Sequence, residues 1–197
     1  LYDVQNTVSQ ARKNGMISTG IDLFLAALPV VLMAIDFVFE GIPGYPYNIV
    51  IIGGIFISLI CFSVIYRLRA LRKISMLSGI RAAALYRNCV IVCICVIAIT
   101  SIFLSIPLSI SYKHLAMILC ILIAFAGAIY IIVAWFRINF ALARVSGVGI
   151  FETYVWLCVI LFPLNALYHL IFPITLTITS IVHLLAWSKI EKISVKV

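Results

Sequence analysis

The sequence predicts an all-α membrane protein, a polytopic bundle of transmembrane helices. Hydrophobic residues make up 65% of the 197 residues, charged residues make up only 10%, and the mean hydropathy is +1.27. A soluble domain carries about 25% charged residues because its surface faces water. The apolar residues also form continuous runs near the ~20 residues that a helix needs to cross a bilayer. Such runs contradict the alternating pattern of a membrane β-barrel.

Six apolar runs divide the chain, which is predicted to be a single transmembrane domain over residues 1–197. We expect one span in each run, at about 16–39, 48–66, 88–110, 115–135, 150–170 and 174–187. The last run is the shortest, so five spans plus a re-entrant segment is the alternative arrangement. The first run is longer than the apolar part of a cleavable signal peptide, and we expect it to stay in the membrane.

The basic residues are distributed unevenly between the two sides of these six spans. Of the fourteen Lys and Arg residues, all except Lys113 fall on the side that holds both termini. The positive-inside rule therefore places both termini in the cytoplasm, and we expect an integral protein of a bacterial inner membrane. A net charge of +8 can also indicate nucleic-acid binding. We expect no nucleic acid here, because the basic residues sit in short clusters between apolar runs.

The segment 67–87 is the most basic part of the chain. Its expected anchors to the membrane surface are Arg67, Arg69, Arg72, Lys73 and Arg81. Leucine and isoleucine alternate with these residues, which suits a helix half sunk in lipid headgroups, and Gly79 should break that helix. Anionic headgroups on the cytoplasmic side of the membrane are therefore the predicted lipid partners.

Two carboxylates lie inside the first span. Asp22 and Asp36 are fourteen residues apart, so one helix face carries both, about 21 Å from each other. The functional interpretation is an ion or proton path along that face. Asp36 lies near the outer interface, where water can solvate it. Asp22 lies deeper and should face protein, with Arg87 or Arg137 as its pairing partner, because the topology places both arginines at its depth.

Asn165 is the other polar residue well inside a span. Pro163 nearby frees a backbone carbonyl group, so the Asn165 amide can satisfy a neighbouring group or hydrogen-bond to another helix. Two roles for Asn165 are open. It can serve in helix packing, or it can form a polar intramembrane site together with Asp22 and Asp36.

Two further patterns concern the packing of the helices. Small residues at 124–128, with Gly127 among them, should let two helices approach closely. Three short motifs, Lys73-Ile-Ser75, Arg144-Val-Ser146 and Lys192-Ile-Ser194, each follow a pair of spans. They indicate either an ancient repeat or the need for a basic anchor and a polar stop at each cytoplasmic exit.

The histidines raise the question of a redox cofactor. A His114–His169 pair near the outer side is the geometrically reasonable pair of axial ligands, and haem b is the cofactor it would hold. The alternative is that these histidines contact water or backbone at the interface.

The six cysteines lie in apolar runs and lack the CxxC pairs of metal or dithiol sites. We therefore expect no metal site and, apart from the haem alternative, no cofactor.

The sequence carries no recognisable nucleophile–base constellation, phosphate-binding loop or zinc-binding helix motif, and no motif assigns it to a family. It therefore favours a non-enzymatic integral membrane protein, either a small transporter or channel or a membrane subunit of a larger complex. Its protein partners would be other membrane subunits or further copies in a homo-oligomer. The alternative is an intramembrane enzyme, either a haem b redox protein or a lipid-modifying enzyme.

Overall fold

The structure is a computed structural model that describes residues 2–38, 45–105, 110–167 and 172–194. Side chains are described for residues 3–27, 54–103, 105, 114–161, 163 and 172–194. Six α-helices account for most of the described chain, which contains no strand, and the prediction of an all-α fold is confirmed. The helices are α1 Tyr2–Val38, α2 Tyr45–Ser78, α3 Ala82–Ser105, α4 Ile110–Ser146, α5 Ile150–Leu167 and α6 Phe172–Ser188.

Three helices are long and apolar enough to cross a membrane within the described residues. They contain the stretches Gly54–Ser78, Ala82–Phe103 and His114–Ser146. The helices α5 and α6 contribute the shorter apolar stretches Ile150–Leu161 and Phe172–Ser188. Only 11–17% of the residues in the apolar windows of the three long helices are buried. Apolar surface of this extent needs an apolar surrounding, which supports the prediction of a membrane protein.

The helices continue beyond the apolar runs at one end of the bundle. Helix α1 begins at Tyr2, and α2 runs through the basic segment to Ser78. The first part of the basic segment is therefore an extension of α2. This differs from the expectation of a helix that lies on the membrane surface. The segment's apolar residues Leu71 and Ile74 are buried in protein and not in headgroups, because extensions of neighbouring helices cover them.

The predicted helix break at Gly79 is confirmed. Gly79 has a φ of 71°, and its N–H donates to the Ser75 carbonyl oxygen at 3.0 Å. This left-handed conformation ends a helix, and glycine adopts it without a steric penalty from a Cβ atom. The Ser75 hydroxyl accepts a hydrogen bond from the Ala83 N–H at 3.2 Å and so caps the first turn of α3.

The six helices form a ring in chain order. Each helix packs against the next, and α6 packs against α1 to close the ring. The close approach predicted around Gly127 occurs between α3 and α4, where a Cβ on Gly127 would lie 2.9 Å from Val96 Cγ2. This arrangement lets side chains from helices that are distant in sequence meet inside the ring.

A buried apolar cluster lies at the end of the bundle that carries most of the basic residues, and we call it the cap. All six helices and the chain after α6 contribute to it. Its members are Val8, Ala11, Ala70, Leu71, Ile74, Ala82, Ile138, Leu142, Ala143, Phe151, Ala186, Trp187, Ile190 and Ile193. The three short basic motifs converge here, because Ile74 and Ile193 belong to the cap and Val145 packs against it.

Trp187 is the largest side chain of the cap and is 1% exposed. Its indole ring lies against Gly15 of α1, where a Cβ atom would come within 2.1 Å of the ring carbon Cε3. Real Cβ atoms do not approach other atoms so closely, so only glycine fits at this position while Trp187 keeps its place. The contact between Gly15 and Trp187 therefore fixes the distance between α1 and α6 in the cap.

Candidate functional site

An ion pair between α1 and α2 lies where the apolar part of the bundle meets the cap. Arg67 Nη2 contacts Asp22 Oδ2, and the Arg67 and Asp22 side chains are 18% and 30% exposed. The Ser63 hydroxyl donates to Asp22 Oδ1. Charged groups that are removed from water need partners, and each oxygen of this carboxylate accepts one hydrogen bond.

Three hydroxyl groups extend the polar contacts of the ion pair. The Ser18 and Ser63 oxygens are 3.1 Å apart, and Thr19 Oγ1 lies 3.5 Å from Arg67 Nη2. A serine hydroxyl has one proton to donate. When Ser63 donates that proton to Asp22, Ser63 must accept its bond from Ser18. The result is a short chain of buried hydroxyls that ends at the carboxylate.

The partner of Asp22 differs from the partners that the topology had suggested. Arg87 and Arg137 are both exposed, whereas Arg67, expected to be an anchor at the membrane surface, contacts the carboxylate. The reason is that α2 does not end near Tyr66, where the predicted span ended. Because the helix continues, Arg67 remains beside α1 and at the depth of Asp22.

The spacing of four residues on each helix is the signal that could have identified this pairing. Ser18 and Asp22 are one turn apart on α1, and Ser63 and Arg67 are one turn apart on α2. Residues at this spacing share a helix face. Each face carries a hydroxyl group and a charged group, and the charges on the two faces have opposite signs, so the faces are complementary. The structure brings these two faces together.

A cluster of aromatic rings from α5 and α6 lies close to the ion pair and was not predicted from the sequence. Tyr154 and His183 are stacked, with centroids 4.2 Å apart and ring planes 6° from parallel. The Trp187 indole N–H donates to His183 Nε2 at 3.1 Å. An indole N–H is a donor only, so Nε2 is unprotonated in this bond and the neutral ring carries its proton on Nδ1.

The charge of Arg67 links the ion pair to the aromatic cluster. Arg67 lies within electrostatic reach of Tyr86, Tyr154 and His183. Trp135 packs edge-on against Tyr154, with centroids 5.3 Å apart. These contacts and the reach of the Arg67 charge connect at least one side chain from every helix, in chain order Asp22, Arg67, Tyr86, Trp135, Tyr154 and His183.

A cavity of about 680 Å³ lies beside the ion pair, on the side away from the cap. Its lining is mostly apolar and comes from α1, α2, α4, α5 and α6, and Asp22 is the only charged residue among the described lining residues. The wall includes the aromatic side chains Phe56, Trp135, Phe136 and Tyr154. Ligand cavities have volumes of roughly 300–1,000 Å³ and few polar groups. This cavity has the size and composition of a site for a small organic molecule.

Most of the other predicted site residues lie outside the part of the chain whose side chains are described. The side chains of Asp36 and Asn165, and His169 as a whole, lie outside the described residues. His114 is exposed near the start of α4. The ion path that includes Asp36 and the haem pair therefore stay predictions. Where side chains are described, no group of three His, Cys, Asp or Glu residues could hold a metal ion.

The other predicted membrane anchors lie around the cap. Arg69, Arg72 and Arg81 are exposed, and Lys73 is half-buried. Lys73 Nζ donates to Gln10 Oε1 of α1 and so also ties α2 to the N-terminal part of the chain. The exposed arginines leave their charges available to headgroups, and that contact stays a prediction.

A scan against known protein families finds no match, and searches of curated proteins and of solved structures find no significant match either. The chemistry of the site is therefore the guide to function. Both oxygens of Asp22 are engaged by partners, and His183 Nε2 is engaged by Trp187. Side chains whose polar atoms are held by partners in this way are suited to positioning helices and a ligand. The apolar cavity beside them has room for a ligand.

Proposed function

We propose that the chain crosses the membrane six times, with both termini in the cytoplasm of a bacterial cell and the protein in its inner membrane. The cap contains residues near the starts of α1, α3 and α5 and near the ends of α2, α4 and α6, which supports an alternating up-and-down path. Nearly all basic residues belong to this end, and the positive-inside rule puts it in the cytoplasm. Anionic headgroups of that leaflet are the proposed partners of the exposed arginines.

Cysteine labelling tests this topology. Met76 is exposed near the end of α2, and His114 is exposed near the start of α4, so the two positions lie at opposite ends of the bundle. In a variant without the six native cysteines, we expect a membrane-impermeant maleimide to label His114→Cys in intact cells. Met76→Cys should be labelled only after permeabilisation. Labelling of both positions in intact cells would contradict the proposed topology.

We further propose that the protein is a small, non-enzymatic transporter that binds an apolar or amphiphilic organic molecule. The observation that supports this function is the cavity of about 680 Å³ lined by five of the six helices, with the Asp22–Arg67 pair at its cap side. The cap closes the cytoplasmic end of the bundle, because its side chains are buried against one another beyond the ion pair. Release of a ligand to the cytoplasm would require the cap to open between helices.

A variant that fills the cavity tests the proposed binding. Ser180 lines the cavity and is half-buried, whereas Ser101 is exposed on α3 and provides a matched control. The probe is N-phenyl-1-naphthylamine, an uncharged apolar fluorophore, with the protein in nanodiscs of zwitterionic lipid and empty nanodiscs as background. We expect saturable binding to the wild type and to Ser101→Phe. Ser180→Phe should bind at least tenfold more weakly, because its ring occupies the space of the ligand. Equal binding by the three proteins would contradict the proposal.

A further inference from the structure

The two charges of the ion pair are not equally presented to the cavity. Asp22 lines it and is 30% exposed, whereas Arg67 is 18% exposed and is not among the described lining residues. A molecule in the cavity therefore meets the carboxylate before the guanidinium. The carboxylate also has unused capacity. An ionised carboxylate offers about four lone-pair sites, and Ser63 and Arg67 occupy two of them.

The rest of the described cavity wall is rich in aromatic side chains. Phe56 of α2, Trp135 and Phe136 of α4, and Tyr154 of α5 all line the same cavity. Aromatic rings attract cations through their electron-rich faces, tryptophan most strongly, and they also provide contact area for apolar groups. A cavity whose described wall holds one carboxylate and several aromatic rings favours a positive charge carried by an apolar molecule.

We propose that the cavity binds lipophilic cations, meaning amines or quaternary onium ions with apolar substituents. The cationic centre lies next to Asp22, and the substituents pack against the aromatic and aliphatic wall. This inference rests on the proposed function, because it names the ligand class of the same cavity. Arg67 neutralises part of the Asp22 charge, so the preference for a cation over an anion of equal shape is a moderate one.

Two ions of the same shape and opposite charge test the inference. Tetraphenylphosphonium and tetraphenylborate differ mainly in the sign of the charge, and their binding to the wild-type chain in zwitterionic nanodiscs is measured by equilibrium dialysis. Subtracting the binding to Ser180→Phe in the same nanodiscs removes the adsorption to lipid. We expect the remaining, cavity-dependent affinity to be at least tenfold higher for tetraphenylphosphonium. Equal or tighter binding of tetraphenylborate would overturn the cation assignment.

Charge-exchanged variants provide the decisive comparison. The double variant Asp22→Arg/Arg67→Asp keeps an ion pair but presents a guanidinium to the cavity, so we expect tetraphenylborate to become the preferred ion. If that variant does not fold, the neutral double variant Asp22→Asn/Arg67→Gln serves in its place. It should bind both ions with affinities within about threefold of each other. An unchanged preference for the phosphonium ion in either folded variant would show that Asp22 does not select the cation.

The outcomes separate this inference from the proposed function. If the neutral fluorophore binds in the cavity but the phosphonium ion has no advantage over the borate ion, the cavity is a ligand site and only the assigned ligand class is wrong. If Ser180→Phe reduces the binding of none of the three molecules, the cavity is not their binding site. The proposed transport function and the assigned ligand class are then both wrong.

Discussion

Replacing Asp22 by asparagine is expected to lower the free energy of unfolding by roughly 2–3 kcal/mol. The amide keeps the shape of the side chain but leaves Arg67 without its counter-charge, and removal of one member of a buried pair costs about 3–5 kcal/mol. We expect less than this because 18% and 30% of the two side chains remain exposed. Arg67 Nε has no hydrogen-bond partner within the described structure, which increases the dependence of the guanidinium on Asp22.

The measurement is thermal unfolding of the purified protein, followed by tryptophan fluorescence. The midpoint should fall by about 4–12 °C, since 1 kcal/mol corresponds to about 2–4 °C for a chain of this size. Arg72→Gln, an exposed position on the same helix, is the control and should change stability by no more than about 0.5 kcal/mol. The double variant Asp22→Asn/Arg67→Gln should regain most of the loss. If Asp22→Asn were as stable as the wild type and Asp22→Asn/Arg67→Gln were less stable, the stabilising role of the ion pair would be contradicted.

The same single variant distinguishes two interpretations of Asp22. A structural member of an ion pair gives a variant with lower stability, because a cation is left unpaired inside the bundle. A site that carries a transported proton gives a variant that keeps its stability and loses only transport. The geometry favours the first interpretation, since Ser63 and Arg67 both hold the carboxylate in place.

The class of fold could be predicted from the sequence, whereas the ends of the helices could not. In a bilayer each backbone group must find its partner within the segment, so long apolar runs have to be helices. Hydropathy identifies the segments that would lie in lipid, but it does not identify the residues at which the helices end. Helix α2 continues past its apolar run because Ala70, Leu71 and Ile74 pack into the cap, and that packing depends on helices distant in sequence.

The candidate site was predictable only in part, for a similar reason. The cost of a bare carboxylate in lipid indicated that Asp22 must be satisfied inside the bundle. The choice of Arg67 over Arg87 or Arg137 depends on which helices are neighbours, and a single sequence does not report this. The stack of Tyr154 on His183 joins two helices. The histidines were considered only as haem ligands, and nothing in the sequence indicated that Tyr154 would lie against one of them.

Within the described residues, the cap is where burial of apolar surface stabilises the fold. Between helices in lipid there is little hydrophobic driving force, because lipid chains are as apolar as the side chains they would replace. The cap lies at the basic end of the bundle, where the polar N-terminal part of α1 and the chain after α6 meet, and there the alternative to burial is contact with water. These contacts hold the ring of helices together at its proposed cytoplasmic end.

Trp187 is the cap residue whose truncation should have the largest effect. Trp187→Ala is expected to lower the free energy of unfolding by about 3–5 kcal/mol, the usual range for replacing a buried large aromatic side chain by alanine. The variant removes a ring that is 1% exposed, and it also removes the donor to His183 Nε2. Trp156→Ala is the control, since Trp156 is 56% exposed on α5 and its loss should cost much less. Equal losses of stability in the two variants would contradict the assigned role of the cap.

A double-mutant cycle then tests the contact between Gly15 and Trp187 directly. Gly15→Ala should destabilise the wild type by about 1–3 kcal/mol, because its Cβ would overlap the indole ring and overpacking has this cost. In a Trp187→Ala background the overlap is gone, so the same substitution should be neutral or stabilising, as alanine is the better helix former by about 0.5–1 kcal/mol. Gly20→Ala is the matched control on the same helix, since a Cβ there meets nothing within 4 Å, and it should have the same small effect in both backgrounds. If Gly15→Ala has the same cost with and without the indole ring, α1 and α6 are not held at the distance that Trp187 sets, and the cap closes the bundle by other contacts.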